Sequence, residues 1–332
     1  MTSSRGIGLP KAASFDAAFV FSGTRISTEL AGKRLLIETD DESLLPALFI
    51  AFGAGDGRDA SPPFFRAMFE HRVLRVVVDG NSVPPRDLLF GINDAYSPYV
   101  LNDATVSFLD DGSEQFTIDG DALRVHVTPR WRAAVTALLT RAFAHFISDV
   151  ILFHASAIGI TSRAILFVAT REGGKSTLSL ALACRGHEFL SDEYACYDPA
   201  THDVLPYRRP VGIREGPRAA AVDRALARGE YRGVQQDDSL RVDLETLIPL
   251  SSPRRLPLHA IVFLDGFAPR PQLRAAENQV EMLKTLYSSL VTPAHGKRAF
   301  DILRMLSRAR TAFLKIGDPD ETALLLEEEF GS

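Results

Sequence analysis

Short apolar and β-branched runs separated by turn residues dominate the first third of the chain and predict a series of β-strands. Asp-Gly pairs at 111–112 and 119–120 fall between such runs, as they do at the tips of β-hairpins. Two amphipathic stretches, 44–52 and 63–71, predict helices. This pattern is typical of an α+β domain, which we place at residues 1–128. Its predicted strands are 34–38, 73–78, 105–109, 115–118 and 123–127.

Apolar residues at helical spacing follow Pro129 and predict a helix over 129–149 that links two domains. The pattern then changes to strand, glycine-rich loop, helix and strand, which is the α/β signature. We therefore predict an α/β domain over 150–332, and within it the polar stretch 229–238 predicts a mobile loop. The predicted strands of this domain are 150–153, 164–168, 188–197, 259–264 and 312–316, and its predicted helices are 175–185, 218–228, 280–290 and 320–330.

The composition argues against several classes of protein. The chain has 332 residues, of which 46% are hydrophobic, and this is enough to bury two cores. Its net charge of −5 and its lack of a basic block argue against a nucleic-acid binder. Two cysteines are too few for a disulfide framework or a structural zinc site and indicate a reducing cytoplasm. The most apolar stretch, 150–170, contains His154 and Arg163, so we expect no membrane span.

A glycine-rich loop followed by a lysine is the strongest chemical signal in the sequence. Residues 169–177 are Ala-Thr-Arg-Glu-Gly-Gly-Lys-Ser-Thr and fit a permissive P-loop pattern, with Ala169 in place of the first glycine. Small residues let backbone N–H groups face phosphates, Lys175 neutralises the outer phosphates, and the Ser176 hydroxyl can ligate Mg²⁺. The alternative is a glycine-rich helix N-terminus with an incidental lysine. The pattern predicts ATP and Mg²⁺ as cofactors, bound by Gly173, Gly174, Lys175, Ser176 and Thr177.

Two acidic sites compete to supply the carboxylate that such a site needs. Asp265 follows the apolar strand 259–264, the usual position of a Walker-B aspartate at the carboxyl edge of a parallel sheet. Asp192 and Glu193 lie instead on the predicted strand 188–197, which returns after the P-loop helix. Adjacent strand residues point to opposite faces, so at most one of this pair faces a phosphate unless a bulge or a strand end redirects them. Spacing alone leaves both alternatives open.

One histidine lies close to the P-loop in the predicted order of strands. His154 ends the strand 150–153 and precedes the P-loop strand. A single histidine there is either a hydrogen-bonded core residue or a catalytic group. No other histidine has metal-ligand spacing, and neither G-x-S-x-G nor G-x-G-x-x-G occurs. The sequence therefore gives no support for a metalloenzyme beyond Mg²⁺, for a serine hydrolase or for a dehydrogenase.

Four short segments, taken in order, resemble the catalytic domain of HPr kinase/phosphorylase and its relatives. The resemblance covers residues 150–330 and is specific over 153–194. It implies an α/β P-loop kinase domain whose mixed sheet is similar to that of phosphoenolpyruvate carboxykinase, and an activity that phosphorylates a serine hydroxyl. The four segments are His154-Ala-Ser, Gly174-Lys-Ser-Thr, Arg185-Gly-His and Leu190-Ser-Asp-Glu-Tyr.

The resemblance also implies residue roles. It favours Asp192 over Asp265 as the carboxylate of the site. A carboxylate there accepts the proton of the serine hydroxyl late in the reaction, while cations hold the charge of the moving phosphoryl group. The implied roles are phosphate and Mg²⁺ binding by Lys175 and Ser176, proton acceptance by Asp192, metal binding by Glu193, and a place beside the transferring phosphate for His154.

The chain departs from the family pattern at several positions. Glu193 stands where the family usually has a second aspartate, and Arg171 and Glu172 stand where its P-loop usually has small residues. A glutamate beside a triphosphate is unfavourable unless a cation compensates its charge. Residues 1–128 do not resemble the usual N-terminal domain of the bifunctional enzyme, and residues 209–213 match its Arg-Gly-rich segment poorly. We therefore assign neither phosphorylase activity nor HPr as the substrate.

The sequence predicts a cytoplasmic, ATP- and Mg²⁺-dependent kinase that phosphorylates a serine of a peptide or small protein. Relatives of the family include kinases of lasso peptides, and the N-terminal domain would help to recruit the substrate. One alternative is a kinase of a small-molecule hydroxyl with the same fold. Another is a nucleotide-binding regulatory protein without catalysis, which Arg171 and Glu172 would signal. The family forms homo-oligomers, but no coiled-coil pattern occurs here, so the oligomeric state stays open.

Overall fold

The computed structural model divides the chain into two compact units, residues 1–148 and 149–332. Each unit is described by itself. The described residues are 24–53, 64–70, 73–78, 81–82, 99–101, 105–108, 114–119, 122–125, 139–140, 143–144, 146–147, 149–169, 172–236, 239–276, 278–291 and 297–331.

A mixed β-sheet forms most of the described part of the first unit. The strand order is β1-β2-β3-β4-β9-β8-β7-β6, and β5 pairs with β4. Strands β2 and β3 are parallel and are connected through a short 3₁₀ turn, Glu42–Leu44, and helix α1, Leu45–Phe52. The strands are β1 (Thr24–Leu30), β2 (Lys33–Thr39), β3 (Phe64–Glu70), β4 (Val73–Val78), β5 (Asn81–Ser82), β6 (Tyr99–Leu101), β7 (Thr105–Phe108), β8 (Glu114–Asp119) and β9 (Ala122–Val125).

The pattern of the first unit predicted one element wrongly. The five strands, the helix over 44–52 and the two hairpins are present, although residues 111, 112 and 120 of the Asp-Gly pairs lie outside the described residues. The predicted helix over 63–71 is instead strand β3. Its alternate residues Phe65 and Ala67 are buried, and the strand pairs with β2 on one side and β4 on the other. The two-residue periodicity of a sheet therefore determines this segment, as burial often overrides a local helical pattern.

A large mixed sheet organises the second unit. It runs β13-β11-β12-β19-β21-β20, and the strands β10, β14 and β15 join the beginning of β19. The pairs β12–β19 and β19–β21 are parallel. The strands are β10 (Ile151–Phe153), β11 (Ala155–Ile160), β12 (Arg163–Val168), β13 (Glu188–Ser191), β14 (Ala195–Asp198), β15 (Asp203–Leu205), β16 (Val211–Arg214), β17 (Gly233–Gln236), β18 (Ser239–Val242), β19 (Leu256–Phe267), β20 (Gln272–Ala275) and β21 (Arg310–Ile316).

Helices cover both faces of this sheet, so β12 is apolar along nearly its whole length. Ile165 and Phe167 face one core with α2, α3, α4 and α7, and Leu166 and Val168 face the other with α5 and α6. A separate small sheet, β16-β18-β17, lies on the side of the first core. The helices are α2 (Lys175–Cys184), α3 (Ala220–Arg228), α4 (Leu244–Leu247), α5 (Gln279–Ser288), α6 (Lys297–Arg308) and α7 (Pro319–Phe330).

The second unit is a mixed α/β structure, and the strands and helices predicted for it occur in the predicted order with two corrections. Several of its elements were not predicted, among them β11, β15, β16, β18 and α6. The predicted strand 188–197 breaks at residues 192–194 into β13 and β14. The predicted mobile loop 229–238 contains β17, which pairs with β18. The predicted linking helix 129–149 lies largely outside the described residues, and its described part is helical at 139–140, 143–144 and 146.

In the described part of the chain, no helix combines the length and the apolar character needed to span a membrane.

Candidate active site

The loop after β12 brings backbone N–H groups to the start of α2. Gly174 is the residue before the helix, with φ of 85°, a left-handed conformation that glycine adopts without strain. A Cβ atom on Gly174 would lie 2.5 Å from Ile316 Cδ1, so a side chain there would displace the end of the Ile316 side chain. Gly174 has no side chain that could cap the helix. The start of α2 is therefore a favourable position for an anion.

Lys175 opens the helix with its side chain buried, since only 7% of the residue is exposed. Its Nζ donates to the carbonyl oxygen of Ala169 at 3.1 Å, which bends the side chain back over the loop. Burial lowers the pKa of Lys175, and the nearby carboxylates of Asp192 and Glu193 oppose this effect. The lysine is thus held beside two acidic groups at the mouth of the loop.

The break between β13 and β14 redirects Asp192 toward the helix start. Asp192 follows the last residue of β13, and the Ser176 hydroxyl donates to its Oδ2 at 3.0 Å. Its Oδ1 is buried and has no hydrogen-bond partner among the described residues. Burial and the charge of Glu193 raise the pKa of Asp192 to about 6, against opposition from Ser176, Arg241 and Lys175.

Glu193 makes different contacts from its neighbour. Its Oε1 accepts from Arg241 Nη1 at 2.8 Å, and its Oε2 lies 3.7 Å from Arg209 Nη1. Burial would raise the pKa of Glu193, but the two guanidinium groups outweigh burial and hold it below its ordinary value. Gly212 faces Arg241 across the β16–β18 pair, and a Cβ there would lie 3.1 Å from Arg241 Nη1. The absence of a side chain at Gly212 thus leaves room for Arg241 to reach Glu193.

His154 lies between β10 and β11 on the wall of the same cavity. Its backbone N–H donates to the carbonyl oxygen of Ser289 at 2.5 Å, which fixes the position of the residue. Its ring meets the ring of Tyr194 edge-on, with the centroids 6.3 Å apart. The guanidinium of Arg209 stacks over the same tyrosine, 4.7 Å from its centroid. Histidine, tyrosine and arginine therefore form one packed group beside Glu193.

A cavity of about 670 Å³ connects these groups, a volume within the range typical of small-molecule sites. Asp265 does not line it; this residue is exposed at the end of β19 and pairs with Arg274 at 3.3 Å. The structure therefore brings all the residues proposed for the site together and leaves the rival aspartate outside. The predicted residues on its wall are His154, Gly173, Gly174, Lys175, Ser176, Thr177, Asp192 and Glu193.

Sequence reasoning missed the arginines of this cavity. The cavity is lined by Arg214, Arg218 and Arg241. Arg209 is not part of the lining but contacts Glu193. Arg214 Nη1 lies 3.8 Å from the carboxylate of Glu172, whose charge it partly compensates. These residues are brought in by the small sheet and the loop after it, far along the chain from the glycine-rich loop. The local signal was Arg241 between the apolar residues Leu240 and Val242 in β18.

The residues present fit a magnesium–polyphosphate group. The Ser176 hydroxyl and the Asp192 carboxylate are hard oxygen ligands 3.0 Å apart, and the unpartnered Oδ1 needs a donor or a cation. Among the described residues, no group of three or more His, Cys, Asp or Glu side chains could hold a metal by itself. Mg²⁺ is usually held by one or two carboxylates together with substrate phosphates and waters, and Asp192 is one such carboxylate.

Comparison with solved structures finds a distant likeness. No protein-family model and no curated protein matches the chain. A solved structure, the HPr(Ser) kinase/phosphatase from Coxiella burnetii, is 16% identical and matches 47% of this chain and 86% of that chain, with a TM-score of 0.20. A likeness with this TM-score assigns neither a fold nor a function to the chain.

Proposed function

We propose that this chain is a phosphotransferase that moves the γ-phosphoryl group of ATP, with Mg²⁺, to a serine hydroxyl of a peptide or small protein. One observation carries the proposal: Lys175 and Ser176 open a helix at a glycine-rich loop and face the buried carboxylate of Asp192, with the Ser176 Oγ–Asp192 Oδ2 distance at 3.0 Å. Phosphoryl transfer requires this set of groups, namely N–H donors and a lysine for the phosphates, a hydroxyl for the metal, and a carboxylate near the acceptor.

The chain's own residues would bind and orient the phosphates. The N–H groups at the start of α2 and the ammonium of Lys175 would hold the outer phosphate oxygens. Lys175 would exchange its contact with Ala169 for a contact with phosphate. The negative phosphate would then offset the cost of burying the ammonium charge. Mg²⁺, when bound, would supply positive charge that neutralises the phosphates, and Ser176 with Asp192 would hold it.

The two adjacent carboxylates would have separate tasks. The contact with Ser176 supports Asp192 as the carboxylate beside the metal and the serine hydroxyl that accepts the phosphoryl group. Glu193 instead contacts Arg241 and Arg209, which supports it as the residue that positions Arg241. The reaction forms a bond between the serine oxygen and the γ-phosphorus, breaks the bond to the bridging oxygen and releases ADP. The serine proton would pass to Asp192 Oδ1, the buried oxygen without a partner among the described residues, while Oδ2, the oxygen beside Ser176, would hold the metal.

The negative charge of Glu172 is compatible with nucleotide binding in this arrangement. Its side chain is exposed and lies 3.8 Å from Arg214 at the rim of the cavity. The arginine therefore compensates the charge that would otherwise repel a triphosphate. This contact makes Glu172 compatible with triphosphate binding, which the kinase and the regulatory alternative both require.

The acceptor class rests on the sequence resemblance, and labelling can test it. The full chain is incubated with Mg²⁺ and ATP labelled at the γ-phosphate, against protein, peptide and low-mass fractions of the host extract. We expect label in a peptide or protein fraction, recovered as phosphoserine after hydrolysis, with wild type and not with Lys175→Met. Label in the low-mass fraction alone would indicate a small-molecule acceptor. No label in any fraction, with ATP bound, would reject the kinase and favour a regulatory role.

A further inference from the structure

One wall of the cavity is apolar and continues from the glycine-rich loop. Thr177 and Leu180 are three residues apart on α2 and so share one face of the helix. Leu180 lies next to a buried group of three side chains that come from other elements. Those three are Val222 of α3, Ile316 at the end of β21 and Pro319 at the start of α7. The cavity thus has a polar end at the loop and an apolar end beside it.

Phe267 completes this wall, although 67% of it is exposed. It is the last residue of β19 and pairs with Ile316 in the sheet. Its ring reaches the glycine-rich loop, because Cε1 lies 3.5 Å from the place where a Cβ of Gly174 would be. A single exposed phenylalanine is ordinary on a protein surface. This one is different because its exposed ring borders the buried apolar wall and touches the loop proposed to hold phosphates.

The backbone groups beside Phe267 are already occupied by partners within the chain. The N–H of Ala268 donates to the carbonyl oxygen of Ile316 at 2.8 Å. The N–H of Gly317 donates to Thr322 Oγ1 at 3.1 Å, and Pro319 has no N–H to offer. The N–H groups of Ala268 and Gly317 therefore already have acceptors, and the side chains of this wall present apolar surface and an aromatic face. Such a surface binds any flat aromatic ring and discriminates poorly between rings that differ in their polar edges.

We propose that Phe267 and the wall of Leu180, Val222, Ile316 and Pro319 form a nucleobase subsite that stacks adenine or guanine with similar affinity. The inference rests on the proposed function, because the glycine-rich loop must hold the phosphates of the same nucleotide. It goes beyond that function by naming the donor class: purine nucleoside triphosphates in general rather than ATP alone.

Calorimetric titration of the full chain with three magnesium-bound ligands tests the subsite. The ligands are ATP, GTP and tripolyphosphate, which has phosphates but no base. Wild type should bind ATP and GTP within about threefold of each other and both more tightly than tripolyphosphate. Phe267→Ala should weaken both nucleotides about tenfold, the order expected for loss of one aromatic stack, and leave tripolyphosphate unchanged. Phe267→Trp should restore nucleotide affinity because it keeps an aromatic face.

Phe300→Ala is the matched control, because Phe300 is 65% exposed but lies on α6 and does not line the cavity. It should leave all three affinities unchanged. The proposal is wrong if Phe267→Ala leaves ATP affinity intact, if it weakens tripolyphosphate as much as ATP, or if wild type prefers one purine by more than about tenfold. Failure of wild type to bind any of the three ligands would instead reject the proposed function itself.

Discussion

Replacing Asp192 with asparagine should stabilise the chain when metal and nucleotide are absent. In the folded chain this carboxylate is 4% exposed, and only one of its oxygens has a hydrogen-bond partner among the described residues. Burial and the adjacent Glu193 therefore make its charge costly and raise its pKa to about 6. An amide has no charge to bury and can still accept from Ser176. The substitution should therefore remove the cost of burying this charge, a gain that is common where a group serves function rather than stability.

The magnitude follows from the pKa. A pKa of about 6, against an ordinary value of 3.8, means that the folded chain binds this proton more tightly than the unfolded chain by about 3 kcal/mol. The contribution of Asp192 to the free energy of unfolding therefore falls as the pH rises from about 4 to about 6 and stays at its lower value above that. We expect Asp192→Asn to raise the free energy of unfolding by about 1–3 kcal/mol near neutral pH. The gain is smaller than the full value of about 3 kcal/mol because the amide loses the charge-assisted bond from Ser176. The gain should vanish near pH 4.

Urea unfolding of the full chain in the presence of a chelator measures this difference across the pH range. Glu193→Gln is the matched control, because its arginine partners lower the pKa of Glu193. That variant should lose stability near neutral pH, and the loss should shrink as the pH falls through the lowered pKa. If Asp192→Asn is instead destabilising near neutral pH, or if its effect does not change with pH, the carboxylate does not carry a buried, poorly compensated charge and the reasoning is refuted.

Two further substitutions test the parts that surround this carboxylate, each against a control from the same chain. Gly174→Ala should abolish nucleotide binding and lower the free energy of unfolding by more than about 2 kcal/mol, because both φ and packing oppose a side chain. Gly186 has a similar φ but open space around it, so Gly186→Ala should lose only about 1 kcal/mol. Thermal unfolding measures both losses. Equal losses for the two glycines would contradict the packing argument. Arg241→Met should lower the free energy of unfolding by about 2–3 kcal/mol because it leaves Glu193 without its 2.8 Å partner. Arg274→Met breaks an exposed ion pair and should lower it by less than about 1 kcal/mol. A loss for Arg241→Met as small as that of Arg274→Met would show that the contact with Glu193 contributes little.

Local patterns predicted the elements that position the loop. The apolar run of β12, the glycine at position 174 and the lysine after it specify strand, turn and helix within about a dozen residues, so short-range sequence was sufficient. The prediction was equally good for α7, where Asp318 caps the helix and Pro319 opens it. Segments with weaker periodicity were less predictable. Strand β3 is apolar at both helical and alternating positions, and only its pairing with β2 and β4 decides between them.

The arrangement of the charged groups could not be predicted in the same way. Adjacent strand residues should point to opposite faces, but the break after β13 brings both Asp192 and Glu193 to the cavity. The arginine that holds Glu193 comes from β18, 48 residues further along the chain, through a pairing with β16 that no local pattern encodes. Phe267 was also missed, because a strand that ends in an exposed aromatic residue has no signature until its neighbours are known.

The central claim is that Asp192, rather than Asp265, is the carboxylate of a phosphoryl-transfer site. The most direct test measures two quantities, Mg-ATP affinity and transfer of labelled γ-phosphate, in wild type, Asp192→Asn and Asp265→Asn. We predict that Asp192→Asn binds ATP within about tenfold of wild type but loses transfer by about a thousandfold or more. Asp265→Asn, altered at an exposed residue outside the cavity, should match wild type in both. Full transfer by Asp192→Asn, or loss of Mg-ATP binding by Asp265→Asn alone, would contradict the account.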